Sequence, residues 1–96
     1  MARVVVTEAA ADDLRGLIRS HRLPETTIER LRRSLQPLES FPELGSPLGG
    51  SFRDRRFLLG PWRWMILIYR LYPEHDLVAI IAIVDGRTST SPTANR

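Results

Sequence analysis

The chemistry open to this chain is set by its basic residues, all fourteen of which are arginines. Arg53, Arg55 and Arg56 stand in one run, Arg63 and Arg70 bracket an apolar stretch, and Arg87 follows a second one. A guanidinium stays protonated and offers five N–H donors in a planar fork. Such groups bind phosphate or carboxylate and stabilise charge developing on oxygen, but they do not act as bases. Proton transfer must then come from other residues, and the candidates are few. His75 falls in a turn and reads as a solvated surface residue. His21 ends a helix, where an imidazolium favours the C-terminal dipole. Asp54, inside the arginine run, reads as a salt-bridge partner. Asp85, two residues before Arg87, reads as the group that ends a strand or orients that arginine. Two distant histidines and no cysteine give no metal-ligand cluster and no thiolate chemistry. No metal and no cofactor are expected. Trp62 and Trp64 share a face of a regular strand, as core residues or, alternatively, as a surface on which a nucleobase stacks.

These residues need a scaffold, and 96 residues allow one domain with one modest core. Hydrophobic residues at 43% and charged residues at 26% are globular values, and the net charge of +3 is moderate. No apolar run approaches the ~20 residues that cross a bilayer, and the first residues lack a charged stretch followed by an apolar one. The expectation is a cytoplasmic protein without a membrane association.

Periodicity supplies the elements. Residues 3–7, RVVVT, read as a strand, and Thr7 with Glu8 caps a helix over 8–21 whose stripe is Ala10, Leu14, Leu17 and Ile18. A second helix begins at Pro24 and carries Ile28, Leu31, Leu35 and Leu38 on one face. Pro37 predicts either a kink or an end near Leu35 with an extra turn holding Leu38. FPELGSPLGG, from Phe41 to Gly50, is dense in turn formers and returns the chain to a sheet. Strands follow over about 52–59, 62–71 and 77–84, joined by Gly60-Pro61 and by the turn from Pro73 to Asp76. The fold class is α+β: an N-terminal strand, a helical hairpin, then a three-stranded antiparallel meander. One domain covers 1–88, and 89–96, without an apolar anchor, is expected to be a disordered tail.

Four pieces of this sequence, in this order, resemble the RelE/ParE superfamily of bacterial type II toxins. They are the opening VVVT-EAAADDL, then RLRRSLQPLESFPELGSPLGG before an arginine-rich strand, then LLGPWRWMILIYRL, and last a strand ending in VDGR. The resemblance implies a RelE/ParE-like sandwich and a toxin held by a cognate antitoxin in a hetero-oligomer. It also implies a target, which divides the superfamily. RelE-like members cut messenger RNA in the ribosomal A site, whereas ParE-like members inhibit DNA gyrase by protein contact. A third possibility is a non-toxic antitoxin-binding module.

RNA cleavage without metal needs a 2′-hydroxyl deprotonated, a pentacovalent phosphate stabilised and a leaving oxygen protonated. For a RelE-like endoribonuclease the resemblance places Arg56, Arg63 and Arg87 as catalytic cations. Arg53, Arg55, Arg70 and Trp64 fall in the RNA, phosphate or target-binding role. The set is incomplete, since no lysine is present and TSTSPTANR after Arg87 contains no Tyr or His. The usual third-strand arginine lies three residues before the tyrosine, where this chain has Ile66; Arg63 lies six before Tyr69 and takes that role only with a bulge or another register.

Overall fold

The computed structural model describes residues 1–87; the tail expected over 89–96 lies outside them. Five strands and two helices follow one another as β1 (Arg3–Val6), α1 (Glu8–His21), α2 (Thr27–Leu35), β2 (Ser46–Pro47), β3 (Arg55–Leu59), β4 (Met65–Tyr72) and β5 (Leu77–Asp85). The strands form one sheet in the order β1-β5-β4-β3-β2. β1 runs parallel to β5, from Arg3 opposite Leu77 to Val6 opposite Ile80, and the other neighbours are antiparallel. The α+β class and the meander are as expected. Two features extend it: the first strand closes the sheet beside the last, and β2 adds a short edge. Ser46 and Pro47 sit in a run of turn formers, and proline is tolerated only on such an edge because it has no N–H to give a ladder.

α1 is anchored along β5. Thr7 Oγ1 accepts the Ala10 N–H at 3.2 Å and donates to the Ile80 carbonyl at 2.8 Å, so one hydroxyl both caps the helix and ties it to the strand. Nearly two helical turns past that cap, Asp13 Oδ2 accepts the Ile83 N–H at 3.1 Å. The helix stops at Arg22, a left-handed residue at φ 51° whose N–H returns to the Ile18 carbonyl. Left-handed backbone costs a non-glycine residue roughly 1–2 kcal/mol. This abrupt end leaves His21 over the last residues of β5.

α2 begins at Thr27 rather than at Pro24. The Thr27 hydroxyl and N–H both donate to the Pro24 carbonyl, at 2.6 and 3.1 Å, which makes Pro24 to Thr27 a turn. The buried stripe is therefore Thr27, Leu31, Leu35, while Ile28 is 49% exposed. Pro37 ends the α-helix as expected, and a 3-10 turn over Gln36–Glu39 buries Leu38 completely.

Strand boundaries near the arginines also moved. Gly50–Phe52 forms a 3-10 turn, so β3 starts at Arg55 and Arg53 lies outside it. β4 starts at Met65, not Trp62, because the turn opened by Gly60-Pro61 is longer than two residues. Gly60 N–H donates to Met65 O at 2.8 Å and Met65 N–H to Trp62 O at 3.0 Å, and Pro61 has no N–H with which to pair sooner. Trp62, Arg63 and Trp64 thus belong to the connection, and counting faces along a strand does not apply to Arg63.

Alternation along β4 divides the interior. Met65, Leu67 and Tyr69 join Ala10, Leu14, Leu31, Leu35, Leu38, Val78, Ile80 and Ile83 beneath the helices. Ile66 and Ile68 join Leu48 on the other face, with Phe52, Phe57, Ala82 and Val84 partly covering them. A bulge in β5 pairs Ala82 with Ile68 and Ile80 with Tyr69, so Ile81 is the extra residue and adds to the second face.

Candidate functional site

The sheet distributes the arginines to three places. Arg56 stands opposite Tyr69, and Arg55 opposite Arg70. Successive residues of a strand face opposite ways, so Arg56 lies on the helix side and Arg55 on the open side. Asp85 pairs with Met65, at the other end of the ladder. From Met65 to Tyr69 is four residues, or about 13 Å of strand. The Arg56, Arg63, Arg87 trio therefore does not converge: Arg63 and Arg87 flank one end of the β4–β5 ladder, and Arg56 sits well along the sheet from them.

At Arg56 the guanidinium is turned inward on the protein's own backbone. Its Nη1 donates to the Gly45 carbonyl at 2.8 Å and to the Glu43 carbonyl at 3.2 Å. The fully buried Tyr69 hydroxyl donates to the Pro42 carbonyl at 2.9 Å and accepts the Gly45 N–H at 2.8 Å. Burial raises the Tyr69 pKa, with the Gly45 hydrogen bond and the Arg56 charge acting against it. Gly45 is required here by space, since a Cβ would lie 2.6 Å from the Phe57 carbonyl and 2.7 Å from the Tyr69 ring. These contacts fix the loop between the helices and β2.

On the open face, Arg55 and Arg70 are cross-strand neighbours sharing Asp54, at 3.9 and 3.5 Å. The Arg55 guanidinium lies 5.3 Å over the Phe52 ring and that of Arg70 5.3 Å over Tyr72. The Arg55 Nε is buried without a hydrogen-bond partner. Phe52, Arg55, Ile68, Ile81, Ala82 and Val84 line a shallow groove of about 360 Å³.

The third place is a corner where the C-terminus of α1, the β3–β4 connection and the end of β5 meet. Asp85 accepts the Arg87 backbone N–H at 2.9 Å and grips its guanidinium with both oxygens, from Nε and Nη2 at 3.0 Å each. The orienting role expected of Asp85 is what the geometry has. Hydrogen bonding from the Arg87 side chain holds the Asp85 carboxyl below its usual range against a smaller opposing effect of burial. The same pairing raises the Arg87 pKa. His21 Nε2 lies 3.3 Å from Asp85 Oδ2, and the His21 ring packs on Trp64 at 4.4 Å between centroids. Arg87 covers the Trp64 ring at 4.9 Å. Trp64 stacks with Trp62 at 6.2 Å, and Arg30 of α2 lies 5.5 Å over Trp62. Gly86 N–H donates to the Trp64 carbonyl at 2.7 Å, which pins the connection to β5. Arg87 remains 58% exposed and His21 30% exposed, whereas Asp85 is 12% exposed. Two guanidinium ions, an imidazole and two indoles thus share one accessible corner.

Sequence reasoning named Arg87, Trp64 and Asp85 here and missed His21 and Arg30. His21 was assigned to its helix terminus, and nothing local in the sequence ties it to Asp85. Only the anchoring of α1 along β5 brings the two together. Among the described residues no group of three or more His, Cys, Asp or Glu is placed to hold a metal ion, and no helix is long and apolar enough to cross a membrane.

Comparison with known proteins gives a consistent picture. The toxin–antitoxin complex RelBE2 from Mycobacterium tuberculosis superposes with a TM-score of 0.67 at 23% identity, over 88% of this chain and 96% of that one. A variant of YafQ from E. coli gives 0.63 at 17% identity, over 95% and 100%. The E. coli DinJ–YafQ complex gives 0.63 at 16%, over the same shares. At these identities the likeness is one of fold. Among curated proteins no relative matches by sequence. The family model for the ParE toxin of the parDE type II toxin–antitoxin system matches residues 4–89. That match covers all of the described elements except Arg3 at the start of β1, so the chain belongs to the ParE toxin family of type II toxin–antitoxin systems, within the RelE/ParE superfamily.

Proposed function

We propose that this toxin cuts messenger RNA on the ribosome, and that the corner formed by His21, Trp62, Trp64 and Arg87 is where it does so. The observation that carries this reading is the Arg87 guanidinium, oriented by Asp85 and exposed beside an imidazole and stacked indoles. A cation at that position stabilises a phosphorane oxygen, and the indoles, packed against the core, hold the imidazole and the guanidinium beside each other. Arg63, in the same connection as the two tryptophans, adds a second cation at this end of the sheet. Arg56, turned onto backbone carbonyls, keeps a structural role in this reading. The toxin acts in the cytoplasm, where translating ribosomes present the substrate.

A second reading is gyrase inhibition by protein contact, and the dispersal of Arg56 from Arg63 and Arg87 favours it. Purified toxin added to a translating extract distinguishes the two. Cuts in messenger RNA at codon-defined positions are expected, while intact transcripts together with lost gyrase supercoiling would transfer the assignment to gyrase. Growth unaffected by soluble toxin would leave an antitoxin-binding module.

The family's partner is an antitoxin, and the open sheet face suits it. Its apolar floor includes Arg55, which stands beside Arg70 across the strands, and the two guanidinium groups share the single carboxylate of Asp54. An acidic amphipathic segment covering this face accounts for both features. Charge reversal by Arg55→Glu with Arg70→Glu should weaken the complex at least tenfold, and unchanged affinity would place the antitoxin elsewhere.

A further inference from the structure

Besides the Asp85 carboxylate, which Arg87 occupies with both oxygens, the corner contains one side chain able to take a proton, His21. His21 closes α1 immediately before the left-handed Arg22, so its backbone is fixed by the helix stop. Three tethers set the helix along β5: Thr7 to Ile80, Asp13 to Ile83 and His21 to Asp85. The imidazole has its Nε2 edge 3.3 Å from the carboxylate and its ring tilted against Trp64. With Nε2 turned to Asp85, a neutral imidazole carries its proton on Nε2 and leaves Nδ1 as the acceptor. Asp85 also holds Arg87, so one carboxylate sets the relative positions of the proton acceptor and the phosphate-binding cation. This is the arrangement in which an acid residue orients a histidine base, here with a guanidinium added to the same acid.

We propose that His21 is the proton acceptor of this toxin, with Asp85 as its positioning residue. The inference rests on the RNA-cleaving reading above and names the group that its arginines could not supply. In the step, His21 Nδ1 takes the 2′-hydroxyl proton and the 2′ oxygen forms a bond to the adjacent phosphorus. The bond from phosphorus to the 5′ oxygen breaks, and that oxygen takes a proton from solvent. The products are a 2′,3′-cyclic phosphate and a 5′-hydroxyl end, and the imidazolium returns its proton to water. No oxidant or metal enters the balance. Arg87 stabilises the charge on the phosphorane, and Trp64 holds His21 and Arg87 against one ring. The charged group in contact with His21 is Asp85, and Arg87 shares both Asp85 and Trp64 with it; Arg30 lies over Trp62 from α2, Arg19 and Arg22 are its neighbours in sequence, and Arg63 precedes Trp64.

The test is single-turnover cleavage of messenger RNA on programmed ribosomes across a pH series, with wild type, His21→Gln and His21→Ala. Wild type should show a rate rising with pH through one ionisation. His21→Gln should lose 10²–10⁴-fold in rate, the range of a general base, with ribosome binding retained and the pH limb gone. Added imidazole should restore part of the His21→Ala rate. A staple between helix and strand would instead lower thermal stability in both variants and leave the rate per folded molecule, the limb and the response to imidazole unaltered, which overturns the proposal. If His21→Gln fails to fold, the imidazole response of His21→Ala decides, and its absence counts against the proposal. No cleavage by wild type would reject the RNA-cleaving reading itself, an outcome distinct from wild-type cleavage that persists in the variants.

Discussion

Arg56 and Arg87 had equal standing as phosphate-binding cations in the sequence, and the fold gives them opposite surroundings. Arg56 faces two backbone carbonyls of the loop that Tyr69 also holds. Arg87 faces one carboxylate and an indole, with more than half of its side chain in solvent. Arg56 directs Nη1 at carbonyls that hold a loop, which contributes to stability. Arg87 directs Nε and one Nη2 hydrogen at Asp85, which orients it and leaves its Nη1 hydrogens for a ligand at an open surface. A count of arginines therefore says less than the acceptor each one has been given.

Substitutions can break or sharpen that contrast. The largest effect is expected at Arg87, where Arg87→Ala should lower messenger RNA cleavage by about 10²–10³-fold, the cost of removing one charge-stabilising donor. Its thermal midpoint should change little, because the side chain is mostly exposed. A large fall in midpoint with the rate retained would put Arg87 in the same class as Arg56.

The loop brace should respond in the reverse sense. Tyr69→Phe leaves a buried Gly45 N–H without its acceptor and should cost roughly 1–3 kcal/mol in denaturant unfolding. Arg56→Ala removes two weaker, partly exposed bonds and should cost about 1 kcal/mol. In both, cleavage per folded molecule should stay near wild type. A rate loss in Arg56→Ala that exceeds its loss of folded protein would return Arg56 to the chemistry.

The smallest effect concerns acid. The Asp85 carboxyl titrates lower in the folded chain than in the unfolded one, chiefly through its hydrogen bonds with Arg87. Its contribution to stability is complete above the unfolded carboxylate value of about 4 and is lost as pH falls through the lower folded value. Asp85→Asn should flatten that part of an acid unfolding profile, and an unchanged profile would mean that the pair adds nothing measurable to folding.

Much of the fold was legible because it follows from local rules. The Thr7 cap and the stripe of Ala10 and Leu14 define α1, and Pro37 ends α2 at Leu35 as a proline must. Errors arose where a turn was set by pairing rather than by composition. Gly60-Pro61 marked the hairpin, but the bonds that delay β4 to Met65 join residues whose alignment depends on the whole ladder. The same holds for Ile28, which fits the helical stripe yet faces solvent because Thr27 occupies the buried row.

By itself the sequence determined the class of the fold, the order of its elements and an all-arginine chemistry limited to binding and stabilising anions. Those properties depend on residue type and short-range spacing. Which arginine faces a carbonyl, which faces a carboxylate, and that His21 meets Asp85 across the long stretch of chain between them were decided by tertiary structure alone. A helix terminus reaches a strand end only when the buried rows of α1 and β5 have been packed in register, and no local pattern encodes that register.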